Sequence, residues 1–258
     1  MRPRIADRLD RLEADHDVTV LYACESGSRA WGFPSPDSDY DVRVVYVHPR
    51  DWYLSVDLER RDDTIDPPIE GALDLHGWDL RKALGLFRTA NPTLWEWLRS
   101  PIVYREDAAL MARWRDLVPD YYVPQAVGRA YRGMARSVAE RALTDTPISH
   151  KAYLYVLRAL LAVRWVERGR GPVPVAFDRL VEETVDDPAV RDALEALFER
   201  KIGGAELADG PRHPVLHDVV EAEIERQRTL DFSSTARTDF GPLNAFFRAV
   251  LDRFAARP

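Results

Sequence analysis

The sequence changes character near residue 118, and this change constrains the fold more than any other feature of the chain. Before it, runs rich in β-branched and apolar residues at 18–24, 41–47 and 69–75 alternate with helical patterns. After it, Val118-Pro119 and Val123-Pro124 interrupt the chain, and the later segments have helical periodicity. We therefore predict an α+β protein, with a mixed sheet over residues 1–117 and an all-α domain over residues 118–258.

The spacing of apolar residues predicts the helices. In the first half we expect helices over 4–15 and 78–90, another beginning at Pro92, and an edge strand near 101–104. In the second half the predicted helices cover 125–143, 149–168, 187–201, 214–230 and 240–255. Glycine-containing stops at 169–172 and 203–204 end two of them.

The composition is that of an ordinary folded protein. The 258 residues are 46% hydrophobic and 31% charged, and the first ten contain no apolar targeting segment. The single cysteine, Cys24, excludes an intramolecular disulfide. We therefore expect a cytoplasmic protein that neither spans nor binds a membrane.

The charged residues limit how the chain can contact nucleic acid. A net charge of −7 argues against a protein that coats nucleic acid through a global basic field, so any RNA contact must be local. The arginines of the predicted helix 125–143 are one candidate groove, although such a row is also typical of a solvated helix face. Only Lys82, Lys151 and Lys201 are lysines, which reflects either codon bias or sites where an ammonium suits a phosphate.

The stretch from residue 22 to residue 47 has the clearest chemical meaning. Asp39 and Asp41 are two apart at the start of a predicted strand, so their carboxylates should project to the same side. Such a pair repels unless a cation bridges it, and Mg²⁺ prefers oxygen ligands of this kind. Gly27 allows the backbone to approach a phosphate closely, and Ser28 can donate to its oxygens.

These residues resemble a known signature. Gly27-Ser28-Arg29-Ala30-Trp31-Gly32 followed by Ser38-Asp39-Tyr40-Asp41 is similar to the Gly-Ser and Asp-x-Asp pattern of the DNA polymerase β nucleotidyltransferase superfamily. The longer pattern GSRAWGF-SPDSDYDVR, with DLHGWDLRKAL, NPTLWEWLRSPIVY and KAYLYVLRALLAVRW, resembles the RlaP family of RNA-ligase-associated nucleotidyltransferases over roughly residues 18–182. The resemblance implies a polymerase β-type catalytic domain over 1–117 and a helical domain over 118–258 that closes the nucleotide cleft.

The resemblance also implies a third carboxylate on a neighbouring strand. Asp74, between apolar residues, is the favoured candidate; Asp79 is the alternative, and can instead complement the dipole of a following helix. The implied catalytic and metal-binding residues are thus Asp39, Asp41 and Asp74, holding two Mg²⁺ ions, with Mn²⁺ as a substitute. The implied contacts to the nucleoside triphosphate in this region are Gly27, Ser28, Arg29 and Ser38.

Further candidates lie close to these residues in the sequence. Arg43 shares the side of the two carboxylates and can offset their charge, while His76 shares the side of Asp74. Trp31 is a candidate for stacking on a base, or for an ordinary place in the core.

A second group of candidates lies on the predicted helix 149–168. Lys151, Tyr155 and Arg158 fall on one face of this otherwise apolar helix. A cationic strip there is costly unless it faces an anion or a wet cleft, so we expect these residues to hold the triphosphate. The alternative is a solvated polar edge.

The expected reaction is transfer of a nucleoside monophosphate from a nucleoside triphosphate to an acceptor hydroxyl, with release of pyrophosphate. The family resemblance favours an RNA or tRNA end as acceptor, in RNA repair or processing, and an RNA ligase or other repair proteins as partners. Two alternatives remain open: nucleotidylation of a protein or small molecule, and a non-catalytic nucleotide-binding regulatory subunit.

Overall fold

A mixed five-stranded sheet organises the first half of the chain. The computed structural model describes residues 1–144, 147–204, 209–233 and 239–254. Its strands are β1 (Thr19–Glu25), β2 (Tyr40–Val47), β3 (Thr64–Ile65), β4 (Leu73–Asp79) and β5 (Val103–Glu106). They lie in the order β3-β4-β2-β1-β5, with β2 and β4 parallel and the other neighbours antiparallel. This sheet, followed by a helical second half, confirms the predicted α+β class.

Helices make up most of the remaining described chain. Those that accompany the sheet are α1 (Arg2–His16), α2 (Gly27–Trp31), α3 (Arg50–Tyr53), α4 (Leu80–Arg88), α5 (Pro92–Leu98), α6 (Ala108–Arg115) and α7 (Val118–Tyr121). Those that follow are α8 (Pro124–Ala142), α9 (His150–Glu167), α10 (Phe177–Thr184), α11 (Pro188–Ile202), α12 (Pro214–Arg228) and α13 (Gly241–Phe254). No helix in the described ranges combines the length and the apolar character needed to cross a membrane.

Each face of the sheet is covered by helices. On one face α1 buries Ile5, Leu9 and Leu12, which recur at helical spacing, against Val42 and Val44 of β2. On the other face Trp97 of α5 stacks on Trp78 of β4 with ring centroids 3.8 Å apart. The burial of apolar surface on both faces fixes the register of the central strands.

The helix α9 is the most buried element of the second half. Its residues from Ala152 to Val166 are buried except at Tyr155 and Arg164, which explains why the sequence is apolar around nearly the whole circumference. Arg158 is the exception, because it is a charged residue only 3% exposed. A buried guanidinium needs hydrogen-bond acceptors, and these are described below with the site.

The chain forms two compact units that differ in detail from the predicted domains. One contains residues 1–30, 39–121 and the C-terminal helix, and the other contains residues 31–38 together with the segment that begins at residue 122. Residues 31–38 and the C-terminal helix α13 therefore belong to the unit opposite to the one that a single boundary at residue 118 would give them. The helix α13 belongs to the first unit because its aromatic side chains pack there. The ring centroids of Phe246 and Trp114 are 5.5 Å apart, and those of Phe247 and Tyr53 are 5.0 Å apart.

The third predicted strand lies four residues later than expected. The structure has a turn at Glu70–Leu73, where these two residues exchange backbone hydrogen bonds and Gly71 takes a φ of 65°. The strand β4 then continues to Asp79, because it is paired in parallel with β2 along its whole length. The helix predicted from residue 78 therefore begins only at Leu80.

Candidate active site

The register of two parallel strands brings carboxylates together on one face of the sheet. Asp41 on β2 is paired with Asp74 on β4, and Arg43 is paired with His76. Side chains two apart share a face, so all four lie on the same side. Arg43 Nη2 donates to Asp41 Oδ1 and to Asp74 Oδ2, both at 2.8 Å.

The charge at this place is predominantly negative. Burial raises the pKa of Asp41, Arg43 opposes the shift, and repulsion from Asp74 and Asp39 adds to it. Asp39 itself is exposed and precedes the strand. Arg43 is thus shared by two carboxylates, Asp41 and Asp74, and a divalent cation would neutralise the negative charge that one guanidinium leaves there.

Gly27 lies directly against the carboxylate of Asp41. It has a φ of +59°, and a Cβ added at this position would lie 2.1 Å from Asp41 Oδ2. Only glycine can occupy this position without displacing the carboxylate. The glycine of the motif and its aspartate are thus in direct contact, although they are 14 positions apart in the sequence.

The other residues of the motif adopt defined positions. Ser28 is buried in α2, and Arg29 Nε donates to the backbone oxygen of Asp39 at 3.1 Å. The Arg29 guanidinium also lies 3.8 Å from the centre of the Tyr40 ring. Ser38 Oγ accepts a hydrogen bond from the backbone nitrogen of Ser35 at 2.9 Å, so this hydroxyl helps to form the turn before Asp39.

A buried carboxylate that the sequence analysis did not identify supports the site. Glu25, at the end of β1, is fully buried, accepts a hydrogen bond from the backbone nitrogen of Asp41 at 2.8 Å, and accepts another from the Tyr104 hydroxyl. Burial raises its pKa. A glutamate that ends an apolar strand directly before Ser26-Gly27 was a signal available in the sequence, because such a charge is rarely buried without a specific partner.

The structure separates the two candidates for the third carboxylate. Asp74 shares Arg43 with Asp41, whereas Asp79 is five residues further along β4 and therefore on the opposite face. Asp79 caps α4 by accepting from the Arg81 backbone nitrogen at 2.8 Å, and accepts from the Tyr53 hydroxyl at 2.6 Å. Burial raises the pKa of Asp79 to about 6.

Aromatic side chains continue the row of polar residues along β4. His76 and Trp78 follow Asp74 at steps of two residues on the same face. The Trp78 ring stacks on Trp97, and His76 Nδ1 lies 3.3 Å from Asp66 Oδ1. The carboxylates therefore border an aromatic surface on the same strand.

The candidates on α9 belong to the second unit. Lys151 is exposed, and Tyr155 meets the Trp31 ring edge-on with centroids 5.1 Å apart. Arg158 is buried: its Nη2 donates to the backbone oxygens of Pro174 and Val175, and its guanidinium lies 4.5 Å from the Trp31 ring. Trp31 is thus packed against α9, and its side chain is half-buried.

The donor set at Asp41 and Asp74 is of the kind that Mg²⁺ prefers, because it consists of carboxylate oxygens, although Arg43 already offsets part of their charge. Among the described residues no three His, Cys, Asp or Glu side chains are grouped for a single metal ion. The arrangement of Asp41, Arg43 and Asp74 is that of an ion-pair triad. These carboxylates therefore fit a divalent cation by chemistry.

Comparison with known proteins identifies the family. The uncharacterized protein YcgL of Bacillus subtilis (strain 168) is 45% identical over 226 residues, which are 88% of this chain and 86% of that protein. A nucleotidyltransferase-like protein of known structure from Exiguobacterium sibiricum is 14% identical, with a TM-score of 0.32 over 98% of this chain and 90% of that one. Residues 1–249 match RlaP, described as an RNA repair pathway DNA polymerase beta family, and the chain belongs to this family.

Proposed function

We propose that the chain is a metal-dependent nucleotidyltransferase that moves a nucleoside monophosphate from a nucleoside triphosphate to the hydroxyl at an RNA end. The observation that carries this proposal is the contact between Gly27 and the carboxylate of Asp41, beside Asp74. It joins a glycine that permits close backbone approach to a phosphate with carboxylates suited to Mg²⁺. Membership of a polymerase beta family supports the same reaction.

In this reaction the acceptor oxygen bonds to the α-phosphorus as the bond to pyrophosphate breaks. Asp41 and Asp74, with Asp39, would hold two Mg²⁺ or Mn²⁺ ions, which lower the pKa of the acceptor hydroxyl and neutralise the leaving oxygens. Asp41 is held for this role by its contacts with Arg43, Gly27 and, through its backbone, Glu25.

Residues that flank the carboxylates would bind the nucleotide. Gly27 and Ser28 would approach the phosphates, and Arg29 would order the segment at Asp39 through its bond to that backbone oxygen. Lys151 and Tyr155 would contact the triphosphate. The bonds of Arg158 to two backbone carbonyls favour a positioning role, because they hold its guanidinium against Trp31.

An RNA end is the acceptor that we favour. The family description names an RNA repair pathway, and the half-buried rings of His76 and Trp78 continue from Asp74 on the same strand face. Bases stack readily on such rings. A cytoplasmic RNA ligase is the corresponding partner. The net charge of −7 suits a protein acceptor at least as well, which makes protein nucleotidylation the second candidate.

Label transfer tests the proposal. The full chain is incubated with each α-labelled nucleoside triphosphate, Mg²⁺ or Mn²⁺, and cellular RNA, and the products are separated on denaturing gels. Asp41→Asn should lose the transfer, because one metal ligand is neutralised. Asp57→Asn is the matched control: this aspartate is exposed, 3.0 Å from Arg61, and outside the site.

The position of the label distinguishes the acceptors. Label on RNA that depends on Asp41 supports an RNA acceptor and gives the base preference. Label on polypeptide would replace the RNA proposal with protein nucleotidylation. If Asp41→Asn transferred label as well as the wild type does, the assignment of the catalytic site would be wrong.

A further inference from the structure

Tyr104, on the edge strand β5, is connected to the backbone of Asp41 through the side chain of Glu25. The Tyr104 hydroxyl donates to Glu25 Oε2, and Glu25 Oε1 accepts from the Asp41 backbone nitrogen at 2.8 Å. The three residues lie on β5, β1 and β2, which are neighbouring strands of the first unit. Tyr104 and Glu25, called the tyrosine–glutamate link below, thus join the edge of the sheet to a carboxylate of the candidate active site.

The Glu25 side chain acts where the regular pairing of β1 with β2 ends. The Asp41 backbone oxygen accepts from the Ser26 backbone nitrogen at 2.9 Å, as in an antiparallel ladder. The Asp41 backbone nitrogen, in contrast, donates to the Glu25 carboxylate. The strand β1 ends at Glu25, and the chain turns at Gly27, where φ is 59°. A side-chain oxygen therefore fixes the Asp41 backbone at the end of the strand.

Glu25 is itself held from the side of β5. Its backbone nitrogen donates to the Ile102 backbone oxygen at 2.9 Å, and its backbone oxygen accepts from Ser100 Oγ at 2.6 Å. The residue is fully buried, and each oxygen of its carboxylate accepts a hydrogen bond. A buried polar group whose hydrogen bonds are made keeps a single arrangement, so Glu25 is a rigid support for Asp41.

The Tyr104 ring is held by packing that does not involve its hydroxyl. The half-buried ring packs against the core cluster between α1 and the sheet, and the Arg2 guanidinium lies 5.4 Å from its centre. Arg2 Nη1 also donates to the Val103 backbone oxygen at 3.3 Å. The substitution Tyr104→Phe would therefore remove the hydrogen bond to Glu25 and keep the ring contacts.

The surroundings of the Asp41 carboxylate leave little room for displacement. Its Oδ1 accepts from Arg43 at 2.8 Å, and its Oδ2 lies only 2.1 Å from where a Cβ of Gly27 would be. A shift of the Asp41 backbone would move this carboxylate relative to Asp74. Binding sites need their ligands held within about 0.5 Å of the required geometry, so the backbone position matters for a metal.

We propose that Tyr104 and Glu25 are positioning residues, which set the affinity of the candidate site for a divalent cation by holding the backbone of Asp41. The inference rests on the proposed function, and it gives a role in the site to a tyrosine on the edge strand. Neither residue needs to touch the metal or the nucleotide. Removal of a group that orients a metal ligand typically lowers metal affinity or activity by about ten- to a hundredfold.

Binding of Mn²⁺ by the full chain tests the link without any chemical step. The electron paramagnetic resonance signal of the free ion follows titrations of the wild type and Tyr104→Phe, and Asp41→Asn defines the Mn²⁺ bound at the site. Tyr104→Phe should weaken this binding by about ten- to a hundredfold. Tyr53→Phe is the matched control, because its hydroxyl donates at 2.6 Å to another buried carboxylate, Asp79, outside the site. This control should bind Mn²⁺ like the wild type.

Thermal unfolding separates positioning from stability. Tyr104→Phe and Tyr53→Phe should both melt at a lower temperature than the wild type, since each loses a hydrogen bond to a buried carboxylate. Only Tyr104→Phe should also lose affinity for Mn²⁺. A lower melting temperature of Tyr104→Phe combined with an unchanged Mn²⁺ affinity would show that the link serves stability alone, and would overturn the proposal.

Glu25→Gln separates positioning from direct metal binding. The glutamine oxygen can accept from the Asp41 backbone nitrogen while the amide nitrogen donates to the Tyr104 hydroxyl. Both connections are then kept without the negative charge, so this variant should bind Mn²⁺ like the wild type. A loss of affinity as large as that of Asp41→Asn would make Glu25 itself a metal ligand and would overturn the proposal.

Label transfer distinguishes a failure of the link from a failure of the proposed function. Transfer that depends on Asp41, with unchanged Mn²⁺ affinity in Tyr104→Phe, would reject the link and leave the enzyme assignment intact. Asp41-dependent Mn²⁺ binding that Tyr104→Phe weakens, without any label transfer, would support the link and reject the enzyme assignment. Mn²⁺ binding that Asp41→Asn does not weaken would reject both the metal site and the link.

Discussion

At the scale of single residues, the site depends on Gly27. Its φ is +59°, and its missing Cβ is the space in which Asp41 Oδ2 lies. A side chain at this position must be strained and must displace the carboxylate. The same glycine therefore contributes to both the stability and the geometry of the site.

Gly27→Ala is expected to destabilise the chain by about 1–3 kcal/mol, because strain in the left-handed region adds to the clash with Asp41. Nucleotidyl transfer should fall below detection. Gly85→Ala is the control: a Cβ there meets nothing within 4 Å, and this helical position should gain about 0.5–1 kcal/mol. Urea unfolding measures both. Equal stability of Gly27→Ala and the wild type would contradict the contact.

Arg43 supplies the positive charge between Asp41 and Asp74, at 2.8 Å from each. Arg43→Met should lower the melting temperature in EDTA, because two facing carboxylates lose their shared cation. Added Mg²⁺ should then raise the melting temperature more in this variant than in the wild type, since an ion supplies the lost charge. Differential scanning calorimetry with and without Mg²⁺ gives the comparison, and Arg61→Met, beside the exposed Asp57, is the control. An identical Mg²⁺ response in the wild type and Arg43→Met would argue against a metal at these carboxylates.

At the scale of helices and strands, sequence patterns predict the long helices most accurately. The helices α8, α9, α11, α12 and α13 follow the predicted ranges within two residues, because each has a long apolar stripe and a clear proline or glycine boundary. The helix α10 was missed, although Phe177, Leu180, Val181 and Thr184 bury one face at helical spacing. With eight residues, this pattern is too short to stand out against its proline-rich surroundings.

The register of β2 against β4 could not be predicted from the sequence. Alternation predicted which side chains share a face of each strand, but not that the two strands are parallel with Asp41 opposite Asp74. That pairing depends on the turn at Gly71 and on packing against α1 and α5, which are tertiary features. For the same reason, the contact between Gly27 and Asp41 could not be derived from spacing alone.

The junction of β4 and α4 should make stability depend on pH through Asp79. Its pKa in the folded chain is about 6, above its ordinary value of 3.8, because it is buried at the start of the helix. The folded state therefore binds the proton more tightly than the unfolded state. Ionisation of Asp79 therefore leaves the free energy of unfolding unchanged below about pH 4, and lowers it as the pH rises from about 4 through 6.

Asp79→Asn isolates this effect. Between pH 4 and pH 7 the free energy of unfolding of the wild type should fall by about 3 kcal/mol relative to the variant, since each pKa unit corresponds to about 1.4 kcal/mol. Urea unfolding across this pH range measures the difference. Asp57→Asn, in which an exposed aspartate beside Arg61 is changed, should follow the wild type. Parallel pH profiles for the wild type and Asp79→Asn would contradict the raised pKa.

At the scale of the whole molecule, the order of residues in the chain does not follow the division into units. The chain leaves the first unit after residue 30, returns at residue 39, leaves again after residue 121, and its last described helix belongs to the first unit. A boundary drawn from a change in sequence character cannot detect such returns, because α13 has the same helical periodicity as the helices before it. What assigns α13 to the first unit is its aromatic side chains.

This arrangement predicts that residues 1–117 do not fold as an independent domain. Without α13, Trp114 and Tyr53 lose the rings of Phe246 and Phe247. In the full chain, Phe246→Ala should cost about 3–5 kcal/mol, as expected for a buried phenylalanine, whereas the half-exposed Phe240 should cost far less. Circular dichroism and urea unfolding of the fragment and both variants test this. A fragment 1–117 that unfolds cooperatively at the same urea concentration as the full chain would show that the first unit does not need its C-terminal helix. A fragment that unfolds without cooperativity, together with a lower free energy of unfolding for Phe246→Ala in the full chain, would show that it does.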